Sequence, residues 1–229
     1  TIREYDIINI SQESFKNNYQ IKSIRFPEDS LLRTIEKESF SNSILESLFI
    51  PSSVKNLEKG WCKNTLKLHD IKISPRNKYY KKLEDQNKII VGKTDNTSEI
   101  YDILIFADRD ITQVQIPNTI KYISLYAFNR CNNLTSIFIS EDSMLYSIDE
   151  DSFSYSQVEN IFIPQTLSEL KEGWCKDTPN LMNISISPMN KHFKYLDENH
   201  QIIIGKSNSL SENFDVILSK MTKEEYSNQ

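Results

Sequence analysis

Cys62 and His69 lie seven residues apart and combine a thiol with an imidazole, the pairing that activates cysteine nucleophiles in hydrolases. A similar stretch further along the chain keeps the thiol as Cys175 but carries Met182 at the spacing of the histidine. A catalytic pair would be expected in both stretches, whereas a cysteine beside Trp61 can fill space as a small apolar residue. We therefore interpret the cysteines as packing residues and expect no catalytic residue.

The spacing of the polar residues supports neither a metal site nor a cofactor site. His192 and His200 share no metal-ligand spacing with a cysteine. The chain has no nucleophile elbow, no H-E-x-x-H sequence, no Walker loop and no glycine-rich dinucleotide turn. Its four glycines leave little material for a phosphate-binding loop. The sequence therefore predicts a protein that is not an enzyme and that uses no metal and no cofactor.

Residues 76–82, Arg-Asn-Lys-Tyr-Tyr-Lys-Lys, mix basic and aromatic side chains as single-strand nucleic-acid binders do. Two acidic residues follow directly, and the chain has 27 Lys and Arg against 32 Asp and Glu. A binder of nucleic acid or of an anionic membrane would carry a basic surplus. No apolar run approaches the roughly 20 residues needed to span a bilayer. We interpret the segment as a solvated hairpin and expect neither nucleic-acid binding nor membrane insertion.

An internal repeat supplies the elements that must hold these residues. The chain of 229 residues matches itself at an offset of 113, with 26 identities in the 62 positions of 44–105. The tetrapeptide Gly-Trp-Cys-Lys at 60–63, for example, returns at 173–176. Such self-similarity marks a repeat architecture. We predict a single solenoid over 1–229, made of two tandem copies at about 1–113 and 114–218, with a polar C-terminal tail or cap at 219–229.

A shorter period of about 23 residues runs inside each copy. Short segments in which Ile, Leu or Val alternates with another residue recur at this spacing, as half-buried strands do. Pro51, Pro117 and Pro164 each follow such a segment directly, and proline ends a strand because it has no N–H to donate. One repeat cannot bury its own apolar face, so stacking must bury it. The pattern predicts an α/β-type repeat solenoid, rich in strands, with a parallel sheet on one face.

Two interruptions of this period are predicted to be β-hairpin insertions. In the first, apolar runs at 80–83 and 88–92 flank a polar stretch, which is typical of a hairpin. A third run at 101–105 reads as an extra strand before the regular period resumes. The same order returns within 196–218.

Residues 114–134 carry a pattern that resembles a known family. Val114, Ile116-Pro117, Ala127-Phe128, Cys131 and Leu134 match the BspA-like leucine-rich repeat, found in surface proteins of mucosal bacteria and expanded in parasitic protists. The resemblance covers roughly 10–218 and implies a leucine-rich-repeat solenoid at a cell surface, with roles in adhesion and host contact. The chain departs from the pattern at 60–62 and 173–175, where Gly-Trp-Cys keeps the aromatic residue but shifts the cysteine.

One residue in each predicted strand faces away from the core, because its two apolar neighbours point inward. We call these residues the outward column: Arg25, Phe49, Lys72, Gln115, Phe138, Phe162 and Ser185. Three phenylalanines on a solvated sheet favour a ligand-binding strip, since solenoid sheets serve as extended binding surfaces. The alternative is cross-strand packing, with Phe138 against Phe162 and with Phe49 beside Arg25 and Lys72.

Three functional hypotheses are consistent with these features. The first is a surface-displayed or secreted module that binds protein or glycan ligands, such as a host cell surface or matrix, through the outward column. The second is an intracellular, cytoplasmic scaffold for protein–protein interaction, which the absence of a disulfide framework among three cysteines would suit. The third is a structural component that self-associates through its terminal coils.

Overall fold

The structure is a computed structural model and describes residues 6–83, 86, 88–200, 202–206 and 212–220, with only the backbone described at 219 and 220. The chain winds into a solenoid, and short strands of successive coils lie side by side. In chain order they are β1 (Asn9–Ile10), β2 (Ser23–Arg25), β3 (Thr34–Ile35), β4 (Ser47–Ile50), β5 (Asn56–Leu57), β6 (Asp70–Ile73), β7 (Tyr80–Lys82), β8 (Ile89–Gly92), β9 (Ile103–Ala107), β10 (Gln113–Gln115), β11 (Tyr122–Ile123), β12 (Ser136–Phe138), β13 (Ser147–Ile148), β14 (Asn160–Ile163), β15 (Glu169–Leu170), β16 (Asn183–Ile186), β17 (Phe193–Tyr195), β18 (Ile202–Gly205) and β19 (Val216–Lys220). The rest of the predicted tail, 221–229, lies outside the described residues.

The first side of the solenoid carries the alternating segments predicted from the sequence. β2, β4 and β6 form one parallel sheet, and β10, β12, β14 and β16 form another. In β4, Leu48 and Ile50 point inward and are buried, while Phe49 between them is half-buried on the outer surface. Pro51 follows β4 directly and ends it, because it cannot donate a backbone hydrogen bond.

The prediction of a parallel sheet on one face was incomplete, because a second side is also paired in parallel. Here β1, β3 and β5 form one sheet, and β9, β11, β13 and β15 lie side by side in another. Apart from β9, each of these strands is only two residues long. Two residues cannot show the alternation by which a strand is identified in a sequence.

The third side of each coil is a run of turns, and the α/β label was wrong, since no helix occurs in the described residues. A typical run has two residues with positive φ four positions apart, such as Glu38 at 55° and Asn42 at 56°. A residue in the left-handed region interrupts a helix, because helical residues have negative φ. Successive N–H groups of the run therefore donate in alternation to a carbonyl of the same turn and to a carbonyl of the next coil. Ser41 N–H donates within its turn to Glu38 at 3.0 Å, whereas Phe40 N–H donates to the next coil, to Trp61, at 2.9 Å.

Aromatic rings stack along the solenoid behind this third side. Phe15 and Phe40 stack with ring centroids 5.2 Å apart, and their counterparts Phe128 and Phe153 do so at 5.0 Å. In both halves a tryptophan then meets the second ring edge-on, at 6.1 Å and 6.2 Å. This recurrence supports our proposal that the chain consists of two tandem copies.

The structure also shows how the Gly-Trp-Cys coils depart from the family pattern. Phe15 N–H donates to the carbonyl of Ser39, and Phe40 N–H donates to that of Trp61. Trp61 therefore occupies the position that Ser39 has in the preceding coil, and Cys62 occupies the position of the phenylalanine. The aromatic residue is kept, as expected, but it enters the core one residue earlier.

Both predicted hairpins form, but the first strand of the second one, β17, lies before the predicted range of 196–218. β7 pairs antiparallel with β8, and β17 with β18. β9 pairs antiparallel with β8 and parallel with β11, so it joins the first hairpin to the coils that follow. Ile90 of β8 packs into the core before the hairpin, while Ile89 and Val91 pack into the core after it. The hairpin is thus a wall between two apolar cores, and a strand buried on both faces need not alternate.

One asparagine fixes each hairpin to the preceding coil. Asn77 Nδ2 donates to the carbonyls of Pro51 and Val54 at 2.9 and 3.0 Å. Its Oδ1 accepts from the N–H groups of Tyr79 and Tyr80, both at 2.9 Å. Asn190 makes the same four kinds of contact at the second hairpin. A buried amide satisfied on both its nitrogen and its oxygen holds the chain direction firmly.

The Tyr80 side chain then bonds the edge of a sheet where a neighbouring strand would otherwise pair. β5 lies at the edge of its sheet, and its Leu57 N–H donates to the Tyr80 hydroxyl at 2.9 Å. The hydroxyl donates in turn to the Lys55 carbonyl at 3.3 Å. Burial raises the pKa of Tyr80, so the hydroxyl stays protonated at neutral pH and keeps both roles.

Tyr80→Phe should lower the free energy of unfolding by about 1–2 kcal/mol, because it leaves the buried Leu57 N–H without its acceptor. Urea unfolding followed by circular dichroism measures this, with the m-value expected to stay constant. Tyr79→Phe is the matched control, since Tyr79 is adjacent and only half-buried, and its effect should stay within about 0.5 kcal/mol. Equal effects of the two substitutions would contradict the assigned role of the Tyr80 hydroxyl.

Candidate ligand-binding face

The outward column lies on the outer surface of the first side. Arg25, Phe49 and Lys72 are direct register partners across β2, β4 and β6. Arg25 and Lys72 are exposed, and Phe49 between them is half-buried. This first block therefore presents one aromatic ring between two cations.

The second block of the column is uncharged. Gln115 is the register partner of Phe138 across β10 and β12, and Phe162 is the partner of Ser185 across β14 and β16. Phe138 is 59% exposed, whereas Phe162 is half-buried against the core. The hairpin separates the two blocks, because β6 and β10 belong to different sheets.

The cross-strand packing considered as an alternative is not seen as ring stacking or as cation–ring contact. Among the residues that the structure describes, the ring–ring and cation–ring contacts include none of Phe49, Phe138 and Phe162. Lys72 pairs instead with Asp70 at 3.6 Å, and both side chains remain largely in solvent. Of the three rings, that of Phe138 is therefore open to solvent, whereas those of Phe49 and Phe162 are half-buried.

A second outward column, which the sequence reasoning missed, lies two residues before the first. Its members are small or polar: Ser23, Ser47, Asp70, Gln113, Ser136, Asn160 and Asn183. Ser47 Oγ donates to Ser23 Oγ at 2.7 Å across the first two strands. The same two-residue alternation would have identified these residues, since positions i and i−2 share a face. The face thus sets hydrogen-bonding groups beside the aromatic rings.

Cys62 and His69 do not meet as nucleophile and base. Burial raises the pKa of the Cys62 thiol to about 12, so at neutral pH it is a protonated, unreactive thiol. His69 is exposed, and its Nδ1 lies 2.6 Å from the Lys67 carbonyl. Burial also raises the pKa of Cys131. The structure therefore assigns the two buried thiols to packing.

The basic and aromatic residues of the first hairpin are used within the fold. The Tyr80 hydroxyl is bonded to the backbone of β5. Lys81 lies over the ring of Tyr101 at 4.6 Å, and Lys82 pairs with Asp108 at 3.1 Å. A groove that stacks successive bases needs free aromatic rings, whereas the Tyr80 ring is buried in the fold.

The histidines of the second half offer no ligand cluster for a metal. His200 stacks on Tyr195 with ring centroids 4.0 Å apart, and burial lowers the pKa of His192. Across the described part of the chain, no group of three or more His, Cys, Asp or Glu side chains could hold a metal ion. The same residues contain no helix long and apolar enough to span a membrane.

The sequence matches the family model of the BspA type leucine-rich repeat region, in six copies over residues 1–85 and 78–200. The chain belongs to the BspA-type leucine-rich repeat family. The resemblance inferred from the sequence is thereby confirmed. No curated protein matches the chain.

Solved structures of bacterial proteins share this solenoid fold. A leucine-rich repeat protein from Eubacterium ventriosum aligns with a TM-score of 0.64 and 21% identity, over 80% of this chain and 45% of its own. The pneumococcal vaccine antigen PcpA aligns with a TM-score of 0.62 and 18% identity, over 78% and 48%. A leucine-rich cell surface protein from Faecalibacterium prausnitzii aligns with a TM-score of 0.51 and 18% identity, over 78% and 57%. The chain spans about half the length of these proteins, and such identities show the fold alone.

Two charged residues are buried where β9 of the BspA-type solenoid meets the next coil. Burial outweighs the nearby Lys82 ammonium and raises the pKa of Asp108 to about 6. Arg109 Nη1 donates to the Ala127 carbonyl at 3.1 Å, and Nη2 donates to the Tyr126 carbonyl at 3.4 Å. Both charges face the interior of the solenoid rather than the candidate face, so their role is structural.

Asp108→Asn should change how stability depends on pH. Because the folded-state pKa of Asp108 lies above the ordinary value of 3.8, the folded protein keeps a proton that the unfolded chain releases between about pH 4 and 6. Wild-type stability should therefore fall as pH rises through this window, by about 2 kcal/mol more than that of the variant. Urea unfolding at pH 4 and pH 7 measures the difference. Asp142→Asn, a change at an exposed aspartate that is not among the charges acting on Asp108, should leave the profile unaltered. Parallel wild-type and Asp108→Asn profiles would refute the assignment.

Proposed function

We propose that this chain is a non-enzymatic binding module that engages a protein ligand through the outer surface of its first side. The observation that carries the proposal is Phe138, whose ring is 59% exposed in a paired strand and has no stacking partner among the described residues. Phe138 lies in β12 beside β14, which carries the half-buried Phe162, and contiguous exposed apolar surface marks interaction sites. Aromatic anchors of this kind dominate protein–protein interfaces.

The two blocks of the outward column indicate what such a ligand would present. Arg25 and Lys72 suit acidic groups placed on either side of the Phe49 ring. Phe138 and Phe162 suit an apolar group, with Gln115 and Ser185 at the ends of the block available for hydrogen bonds. A ligand that spans both blocks would therefore be elongated and would carry its acidic part at the N-terminal end of the face.

The small polar column supports a glycan as the second candidate ligand. Ser23, Ser47 and Asp70 lie in register beside the first block, and hydroxyl and carboxylate groups next to an aromatic ring suit the hydroxyl groups and apolar faces of sugars. Periodate treatment of a target surface separates the candidates, because it oxidises sugar rings and leaves most protein epitopes intact.

We place this module at the cell surface or in the secreted fraction. Support comes from the family and from the descriptions of two structural neighbours, one a cell surface protein and one a vaccine antigen. The rival, an intracellular scaffold, is favoured by the three cysteines, which form no disulfide. Protease treatment of intact cells should remove the protein if it is displayed, and full protection from protease would support the rival.

Phe138→Ser should weaken binding of the chain to immobilised matrix proteins and to cultured epithelial cells by about tenfold or more, since it removes an aromatic anchor. Surface plasmon resonance measures the affinity, and circular dichroism confirms that the variant is folded. Leu66→Ser is the matched control, because Leu66 is 53% exposed but lies outside the outward column.

Binding that is lost on Phe138→Ser and kept on Leu66→Ser supports the candidate face. Equal binding by both variants would show that ligand contacts lie elsewhere. Absence of binding by the wild-type chain to every surface tested would count against an adhesive role.

A further inference from the structure

The first hairpin places two lysine ammonium groups beside one aromatic ring. Lys81 Nζ lies 4.6 Å from the centroid of the Tyr101 ring, and Lys93 Nζ lies 4.8 Å from the same centroid. Strand register brings them together: Lys81 of β7 is opposite Val91 of β8, and Lys93 lies two residues beyond Val91 on the same face. Tyr101 precedes β9, which pairs with the other edge of β8. Paired strands therefore hold both cations close to one ring.

Lys93 is buried without a close anionic partner. Its side chain is 6% exposed, and the carboxylate oxygen of Glu99 lies 4.0 Å from Nζ on a side chain that is 99% exposed. That distance is too long for a hydrogen bond, and solvent screens such a pair. In the described residues the ammonium has the Tyr101 ring and this carboxylate as its contacts, so its three N–H groups have no acceptor at hydrogen-bond distance. A buried cation of this kind is stabilised by a bound anion.

The neighbouring acid, Asp102, is already occupied. Its carboxylate accepts from the Thr94 N–H at 2.9 Å and from the Thr94 hydroxyl at 2.7 Å, and Lys121 Nζ lies 3.7 Å away. Lys121 N–H also donates to the Asp102 carbonyl at 2.7 Å, just before β11 begins. The lysine pair thus lies at the corner between the first and second sides. Described coils lie on both sides of it, so its exposure does not depend on where the chain ends.

The same arrangement recurs in the second hairpin. Lys194 Nζ lies 4.2 Å and Lys206 Nζ 5.5 Å from the centroid of the Phe214 ring, and these residues are the counterparts at an offset of 113. Phenylalanine replaces Tyr101, so the ring and the two cations recur without the hydroxyl. The cations of the first block of the outward column, by contrast, have no cationic counterparts in the second block. The lysine pair is therefore a repeated feature of the hairpins.

The chemistry of this corner favours a sulfate or phosphate ester carried by a sugar. A tetrahedral oxyanion has enough oxygens to accept hydrogen bonds from two ammonium groups at once. Phosphopeptides are recognised mainly by arginine clusters, which are absent from this pair. The net charge of −5 disfavours a long polyanion and favours a single ester group. The adjoining loop exposes Asn96 and Thr97, whose amide and hydroxyl groups suit the hydroxyl groups of a sugar.

We propose that Lys81 and Lys93 bind the sulfate or phosphate ester group of a sugar, while the loop at 94–100 contacts the sugar itself. The inference rests on the proposed binding function and specifies its ligand further, since a protein ligand that carries such a glycan would meet both surfaces. The ester site lies around the corner from the outward column. It is therefore a second point of contact, and its occupancy can be measured separately from that of the Phe138 ring.

Ligand-observed NMR titration with glucose 6-sulfate, glucose 6-phosphate and unmodified glucose tests the site. The wild-type chain should bind at least one ester and should not bind glucose. Lys93→Met keeps an unbranched apolar chain but removes the charge, and it should weaken ester binding at least about tenfold. Lys81→Met should do the same at an exposed position, where folding is not at risk. Lys67→Met is the matched control, because Lys67 is exposed and outside the pair, and it should bind as wild type.

Failure of the wild-type chain to bind either ester, or equal binding by all three variants, would overturn the proposal. Tighter binding of O-phosphoserine than of both sugar esters would also overturn it, and would assign the lysine pair to a phosphopeptide. The relative affinity for the two esters identifies the group that the sugar carries. If the esters do not bind but Phe138-dependent binding to a target surface persists, the inference fails and the proposed function stands. If the esters bind but Phe138→Ser has no effect on surface binding, the proposed role of the outward column fails instead.

Discussion

Backbone hydrogen bonds between coils are the interaction on which this solenoid depends. The first two sides of a coil pair with the next coil through parallel strands, and on the third side Phe40 N–H reaches the carbonyl of Trp61 in the following coil. No coil satisfies its own backbone, and none covers its own apolar residues. Stability therefore comes from contacts between neighbours, and any interruption in the stack must be compensated where it occurs.

The hairpin is such an interruption, and side chains compensate for the missing coil. Asn77 binds carbonyls of the preceding turn, and Tyr80 accepts the N–H of Leu57 at the edge of β5. On the far side, the Ala107 N–H donates to the Ala127 carbonyl at 3.0 Å, and the Arg109 guanidinium adds a second donor to the same oxygen. The buried polar side chains of Asn77 and Tyr80 thus make hydrogen bonds that the backbone of a regular coil would otherwise make.

Sequence patterns predicted the parts of the fold that have a period of two or a proline stop. The strands of the first side and both hairpins follow from these signals, as does the inward direction of Leu48 and Ile50. The second side could not be predicted, because two-residue strands show no alternation. The turns were also invisible, since their left-handed positions carry residues such as Glu38 and Tyr126 in addition to glycine. The outward column could be named from the sequence, but its division into two blocks depends on the hairpin.

The two proposed copies differ on the outer face, where packing constrains the residue type least. Inward positions hold similar apolar residues at an offset of 113, because each must fill the same space between stacked coils. On the outer face Arg25 corresponds to Phe138, and Lys72 corresponds to Ser185, so the charge of the first block is absent from the second. Phe49 and Phe162 correspond to each other and are both half-buried, so packing accounts for part of their retention. The ring of Phe138 has no such explanation among the described contacts, and for this reason we propose that the second block anchors a ligand and that the cations of the first block select its charge.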